Sequence, residues 1–194
     1  VFHDEAIIPV FHAGIPIHIR NTNNPDGPGT RIVVERSIDN GPAVGIAAMD
    51  DVGSIYVRKY LMNREVGFGR RLLEILEDEG IAFEHLPSGI DDMSVLVREA
   101  FLPPDVEERV VGRIREELAG DDVSVEHGLS LVMIVGEGMR HTVGVAARAC
   151  NALARAKVNI EMINQGSSEV SMMYGVKSED VPRAVASLYQ EYFG

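Results

Sequence analysis

Two stretches of this chain place an acidic residue 17 positions after a glycine that begins a predicted helix. Gly67 is followed by Glu84, and Gly144 is followed by Glu161. A glycine lets a ligand approach the backbone closely, and the free N–H groups at a helix start attract a carboxylate. A nearby acidic side chain attracts an ammonium group. This spacing predicts a receptor for a zwitterion, that is, a free amino acid.

Both stretches belong to an internal repeat. When the sequence is shifted by 77 positions, 8 of the 33 positions from 62 to 94 are identical, where unrelated sequences of ordinary composition share about two. A repeat of this length predicts a tandem pair of small domains. The alternative, that the glycines serve turn geometry and the acidic side chains are solvated, stays open. The identical pairs are Met62 and Met139, Val66 and Val143, Gly67 and Gly144, Arg71 and Arg148, Leu76 and Leu153, Glu84 and Glu161, Gly89 and Gly166, and Ser94 and Ser171.

The sequence contains no recognisable catalytic motif. Gly67-Phe68-Gly69 lacks the third glycine of a dinucleotide motif. Asp91-Asp92 has the chemistry of a metal ligand pair, but a solvated turn is the simpler interpretation. Cys150 lies on an apolar helix face, where we expect a core residue. The six histidines show no metal-binding spacing, so we predict no catalytic residue and no metal site. They are His3, His12, His18, His85, His127 and His141.

The composition excludes several classes of partner. The 194 residues carry a formal net charge of −12, and a chain this acidic repels nucleic acid. The longest apolar run, Leu129 to Val135, is far shorter than the roughly 20 residues of a membrane helix. No secretory signal is present, and one cysteine fits a reducing compartment. We predict a cytoplasmic protein with no nucleic-acid and no membrane partner.

Hydrophobic periodicity and turn residues predict the order of the elements. A short helix, a strand and a turn-rich loop come first, at 3–13, 15–19 and 21–30, and short strands follow at 32–35 and 44–49. The first repeat reads as β-α-β-β-α-β, a ferredoxin-like arrangement. Its elements are predicted at 54–59, 67–79, 81–86 and 93–98, with a helix from 103 and a strand around 123–125.

The second copy lacks its last strand. Its elements are predicted at 131–135, 142–156, 159–164, 169–176 and 179–192, and a fourth strand would begin near residue 199 (122 + 77), beyond Gly194. A sheet without that strand has an open edge, so we expect the spare strand at 43–49 to complete it. The predicted fold is α+β, with two ferredoxin-like βαββαβ domains, the first inserted into the second. The predicted domains are a leading segment 1–30, a first domain 53–127, and a second domain of 31–52 plus 128–194.

Motifs along essentially the whole chain resemble those of aspartate kinases. Residues 1–30 resemble the end of the kinase domain and the linker after it, through Ala13–Ile17 and Arg20–Thr30. Met62–Gly69 and Pro87–Asp92 are similar to the first ACT domain of that family, and Asn159–Ser171 to the second. The resemblance implies that both predicted ferredoxin-like domains are ACT domains, which bind an end-product amino acid and form a dimer.

The resemblance also implies the residues of the effector site. On the carboxylate side they are Met62, Arg64, Gly67, Phe68 and Gly69. Facing the ligand amine or side chain they are Glu84, His85, Ser88, Gly89, Asp91 and Asp92. The equivalents in the second copy are His141, Gly144, Asn164, Gln165 and Ser168.

By resemblance, the parent enzyme uses ATP and Mg²⁺ to phosphorylate the side-chain carboxylate of L-aspartate. The kinase motifs of the family lie in an N-terminal domain that is absent from this sequence, which begins at Val1 inside a predicted helix. We therefore expect a regulatory fragment with no kinase activity and no cofactor of its own; a separate regulatory subunit is the alternative.

Lysine is the expected effector, because Asp91 and Asp92 suit a second ammonium group, and threonine is the alternative. A homodimer through the ACT domains is the expected assembly. A dimerisation module that has lost its ligand remains a competing hypothesis.

Overall fold

The computed structural model describes residues 6–34, 41–140, 142–166 and 170–194. Residues 1–40 and 41–194 form two compact units. In the first unit, α1 (Ile7–His12) precedes an antiparallel pair of β1 (Ile17–Ile19) and β2 (Thr30–Ile32). The helix ends at the predicted glycine, because Gly14 has a φ of 66° and its N–H bonds the carbonyl of Phe11.

The second unit contains the repeat. Its elements are β3 (Gly45–Arg58), α2 (Phe68–Asp78), β4 (Phe83–His85), β5 (Asp92–Arg98), α3 (Pro104–Leu118), β6 (Asp122–Val135), α4 (Val145–Arg155), β7 (Met162–Gln165), β8 (Ser171–Lys177) and α5 (Val181–Phe193). The strands form one sheet in the order β4-β5-β3-β6-β8-β7, and every neighbouring pair is antiparallel.

Two central strands are longer than the sequence predicted. β3 joins the predicted strands 44–49 and 54–59, and β6 joins the predicted strands around 123–125 and 131–135. The prediction of separate strands was wrong because Asp51 (φ 59°) and Gly128 (φ 70°) are bulge positions and not strand ends. The register between β3 and β6 shifts at this point, between Met49 and Ser54. A bulge bends a strand without ending its pairing.

Each repeat nevertheless has the ferredoxin-like strand order. In the first repeat β4, β5, the second part of β3 and the first part of β6 lie side by side. The second repeat has the same arrangement, formed by β7, β8, the second part of β6 and the first part of β3. The donated segment pairs from Gly45 opposite Val135 to Met49 opposite Leu131. The predicted α+β fold is confirmed, whereas the domain boundaries stay a prediction because two strands run through both repeats.

Helices α2, α3, α4 and α5 cover the same face of the sheet. Along β6, Val123 packs under α2 and α3, whereas Val132 and Ile134 pack under α4 and α5. Side chains alternate along a strand, so the extra residue at the Gly128 bulge keeps both sets on the same face. The opposite face, here called the open face, carries a smaller apolar cluster of Val52, Leu96, Leu129 and Leu131, with Met49, Met162 and Met173 at its margin.

Candidate functional site

The two glycine-led helix starts have the same backbone geometry. Gly67 precedes α2 with a φ of 81°, and Gly144 precedes α4 with a φ of 89°. A Cβ atom at either position would meet nothing within 4 Å. The left-handed conformation, and not crowding, is therefore the reason for glycine at both sites. No side chain of the described residues caps either helix start.

The loop before α2 lies against the turn between β4 and β5. The N–H of Asn63 donates to the carbonyl of Ile90 at 3.1 Å, and the N–H of Leu61 donates to Oδ1 of Asp91 at 2.9 Å. The structure therefore brings together the two predicted stretches 62–69 and 87–92. The carboxylate of Asp91 holds the loop, whereas the neighbouring Asp92 lines a cavity.

Two predicted side chains lie in the core. Met62 and Phe68 are 5% and 3% exposed and pack in the apolar cluster under α2 and α3. Only their backbone groups are available to a ligand, because both side chains are buried in that cluster. Arg64 is exposed at the end of the loop, and Gly69 follows Phe68 in the first turn of α2.

A charged cluster that the sequence analysis missed supports this loop. Nζ of Lys59 lies 2.5 Å from Oε2 of Glu65 and donates to the carbonyl of Leu118 at 2.7 Å. Arg71 also pairs with Glu65. The hydrogen bond from Lys59, together with the positive charges of Lys59 and Arg71, lowers the pKa of the Glu65 carboxyl. The cluster holds the loop between α2 and the end of α3.

The other predicted residues of the turn line a cavity of about 480 Å³ on the open face. Ser88, Gly89 and Asp92 form part of its wall. A Cβ atom at residue 89 would lie 2.8 Å from Oδ1 of Asp92, so a larger residue here would displace that side chain. The remaining wall combines hydroxyl groups, acidic side chains and an apolar floor; these residues are Ser54, Tyr56, Ser94, Ser124, Glu126, Glu161, Leu96, Leu129 and Met162.

Glu84 lies in a different place from the one the sequence suggested. Its Oε1 accepts a hydrogen bond from Nε of Arg98 at 2.9 Å. It lines a second cavity of about 230 Å³ on the open face, which shares no lining residue with the first. The other walls of this cavity are apolar and come from Ala47, Ala48, Met49, Leu131, Met133 and Met173. A carboxylate beside aliphatic and thioether walls is suited to an alkylammonium group.

His85 follows Glu84 in β4 and is partly buried. Its Nε2 atom is buried and has no hydrogen-bond partner among the described residues. Burial lowers the pKa of the His85 imidazole from its ordinary value of 6.5. A side chain held neutral in this way is a poor ligand for a carboxylate.

The second copy differs from the first around its own glycine. Arg148, the equivalent of Arg71, pairs instead with Glu191 of α5 at 2.9 Å. Asn164 and Gln165 lie in β7, opposite Met173 and Met172. Where the first repeat presents Ser54 and Tyr56 on the open face, the second presents Leu131 and Met133. His141 and Ser168, also predicted for this copy, lie outside the described residues.

Two further features are absent from the part of the chain that the structure describes. Its His, Cys, Asp and Glu side chains form no group of three or more that could hold a metal ion. None of its helices combines the length and the apolar character needed to cross a bilayer.

Comparisons with known proteins decide the relationship. Residues 132–192 match the model of the ACT domain. The chain is 60% identical over 193 residues to aspartokinase 3 of Bacillus subtilis, covering 100% of this chain and 42% of that protein. The chain corresponds to the regulatory portion of an aspartate kinase. The resemblance read from the sequence is thereby confirmed.

Solved structures of aspartate kinases have the same fold. The aspartate kinase of Clostridium acetobutylicum superposes with a TM-score of 0.92 at 40% identity, over 99% of this chain and 45% of that one. E. coli aspartokinase III in complex with lysine and aspartate superposes with a TM-score of 0.77 at 20% identity, over 100% of this chain and 42% of that one. The chain thus spans less than half the length of these aspartate kinases.

In this aspartate kinase regulatory region, the sequence carried a usable signal for some of the missed residues. Ser54 and Tyr56 align with Leu131 and Met133 of the second copy. The first repeat therefore has hydroxyl groups where the second has apolar side chains, which indicates that the open face is more polar in the first repeat. The contact between Glu84 and Arg98 could not be predicted in this way, because it depends on how β4 pairs with β5.

The buried imidazole predicts a pH effect on stability. Because the pKa of His85 is lower in the folded than in the unfolded chain, the unfolded chain binds the proton more tightly. Stability is complete above about pH 6.5 and falls as the pH drops through that value towards the folded pKa. Urea unfolding at about pH 7.5 and about pH 5.5 should show a lower free energy of unfolding at the lower pH. His85→Gln should reduce this difference between the two pH values. An equal reduction by His12→Gln, which changes an exposed histidine, would contradict the assignment.

Proposed function

We propose that this chain senses an end-product amino acid for an aspartate kinase and communicates its binding through the ACT domains. The observation that supports this most directly is the turn at 88–92. One side of this turn contacts the loop before α2, and the other lines the larger cavity. A backbone-rich loop and the carboxylate of Asp92 therefore lie on adjacent sides of one short segment.

The chemistry of these two sides matches a zwitterion. Backbone N–H groups at the start of α2 attract the α-carboxylate, and Gly67 leaves room for it. Asp92, with Glu126 and Glu161 across the cavity, attracts the α-ammonium group. The apolar floor made by Leu96 and Met162 accommodates an aliphatic side chain.

Lysine is the preferred effector, and threonine is the alternative. A second ammonium group needs a second carboxylate with space beside it, and Glu84 with its apolar cavity provides one. The E. coli aspartokinase III structure contains lysine, which supports this choice by analogy. Threonine has no second ammonium group and would leave Glu84 paired with Arg98.

The proposal extends to the parent protein by relationship. An aspartate kinase transfers a phosphoryl group from ATP, with Mg²⁺, to L-aspartate and forms 4-phospho-L-aspartate. We assign that chemistry to a catalytic domain outside this sequence, and we place the protein in the cytoplasm. The present chain supplies feedback control and no catalytic residue.

A homodimer through the ACT domains is part of the proposal. Exposed apolar side chains surround the loop and turn: Tyr60 is 74% exposed, Val66 is 94% exposed and Ile90 is 69% exposed. Apolar side chains grouped beside a polar site are typical of an interface between subunits. A site at such an interface allows ligand binding to change the arrangement of the dimer.

Calorimetric titration with lysine and with threonine tests the proposed function. We expect saturable heat with lysine, and an Asp92→Asn chain should bind it at least about tenfold more weakly, because the ammonium group then meets a neutral amide in place of a carboxylate. Asp105→Asn, which changes an exposed acid on α3, is the matched control and should bind normally. Absence of heat and of thermal stabilisation with both amino acids would support a ligand-free dimerisation module.

A further inference from the structure

A chain of polar contacts spans the place where β3 and β6 pass from one repeat to the other. Arg98, at the end of β5, donates from Nε to Glu84 and from Nη1 to the backbone carbonyl of Asp50 at 3.2 Å. The carboxylate of Asp50 accepts a hydrogen bond from Oγ of Ser130 at 2.9 Å. Oγ of Ser130 also lies 2.9 Å from Oγ of Ser178, in the turn that leads into α5. These five residues are called the crossing network.

Ser130 is the central member of the network and has no exposed surface. A buried hydroxyl is costly unless it is hydrogen-bonded, so its partners are held in place. Because its single proton goes to the Asp50 carboxylate, the hydroxyl of Ser178 donates to Ser130. The equivalent position in the first repeat is Gly53, which has no side chain. The contact therefore exists at one of the two equivalent places, and Arg98 links it to the first repeat through the backbone carbonyl of Asp50.

The network lies beside both bulges. Asp50 precedes Asp51, and Ser130 follows Gly128 by two residues. Bulges are the points at which a strand bends, so contacts made beside them help to set the angle between the two parts of the strand. The contacts of Asp50 and Ser130 are therefore placed to couple the bend of the sheet to the position of α5.

We propose that the crossing network carries a signal from the first repeat to α5 of the second repeat. This inference depends on the proposed function, in which a ligand ammonium group approaches Glu84. The ammonium group competes with Arg98 for the Glu84 carboxylate, and Arg98 then loses the partner that orients it towards Asp50. The position of Asp50 changes, and with it the Ser130–Ser178 contact. Ligand binding shifts the equilibrium because the ligand interacts differently with the two arrangements.

The ligand-free chain provides the first test. Backbone hydrogen exchange of Ser178–Phe193 is measured in the full 194-residue chain, in Arg98→Met, in Ser130→Ala and in the double variant. Each single change should accelerate exchange about fivefold, and the double variant should show about the same fivefold acceleration, because both changes break one connected chain. Ser187→Ala, whose hydroxyl bonds within α5, is the control and should stay near the wild type. Independent effects that multiply, or no effect of Arg98→Met, would overturn the proposal.

Lysine and threonine provide the second test. In the wild type, lysine should accelerate exchange in the same segment. Arg98→Met should bind lysine about fivefold more tightly, because Glu84 is then free, and should show no further change in exchange on binding. Weaker lysine binding by Arg98→Met, or lysine binding to the wild type without a change in exchange, would overturn the proposal. If neither amino acid binds, the proposed function fails, and the ligand-free cycle alone decides whether the network couples the repeats.

Discussion

Gly136→Ala should destabilise the chain by about 3 kcal/mol, because overpacking against fixed backbone is relieved only by moving that backbone. A Cβ atom at this position would lie 2.3 Å from the carbonyl oxygen of Pro42 and 2.8 Å from Cα of Ala43. These atoms lead into the donated part of β3, and the N–H of Val44, just before that strand, bonds the carbonyl of Val135. Urea unfolding followed by circular dichroism measures the change.

The matched control is Gly112→Ala in the interior of α3. A Cβ atom there would meet nothing within 4 Å. Alanine is the better helix former, so this variant should gain about 0.8 kcal/mol. Equal stability of the two variants would contradict the close packing of residue 136 against the backbone that leads into the donated strand.

Truncation of the matched core leucines should have a second large effect. Leu76 and Leu153 occupy equivalent positions in the repeat and are 1% and 0% exposed. Leu76→Ala and Leu153→Ala should each cost about 3 kcal/mol, the usual result when a buried leucine leaves a cavity. Because β3 and β6 belong to both repeats, each variant should still unfold in a single transition. Scanning calorimetry and hydrogen exchange measure both properties.

Val143→Ala is the control for this pair. Its side chain is almost fully exposed, so this change should stay within about 0.5 kcal/mol of the wild type. Two separate transitions in Leu76→Ala, with β8 still protected after α2 has opened, would show that the shared strands do not couple the repeats.

Local patterns predicted the elements of each repeat well. The apolar stripe of α2 and the glycine that precedes it predicted the bounds of this helix to within one residue at each end. Asp50-Asp51 misled the prediction, because two adjacent acids usually mark a turn. Here Asp51 adopts the left-handed conformation that aspartate tolerates, and the strand continues through it.

The candidate site was only partly predictable. The stretches 62–69 and 87–92 were found because the repeat and the family resemblance both pointed to them. The partners of Glu84 and Asp91 depend on strand register and on the loop conformation, which the local sequence does not contain. The partners of Ser130 could not be predicted either. In the sequence it is one serine within an apolar run, and only the pairing of β3 with β6 places Asp50 beside it.

The most direct test of the amino-acid receptor is a titration of the isotope-labelled chain with lysine, followed by backbone NMR. We predict that the largest shift changes fall in residues 60–69 and 83–92, with much smaller changes around Gly144. The central claim would be contradicted by an unchanged spectrum at saturating lysine and threonine, or by changes confined to the second repeat.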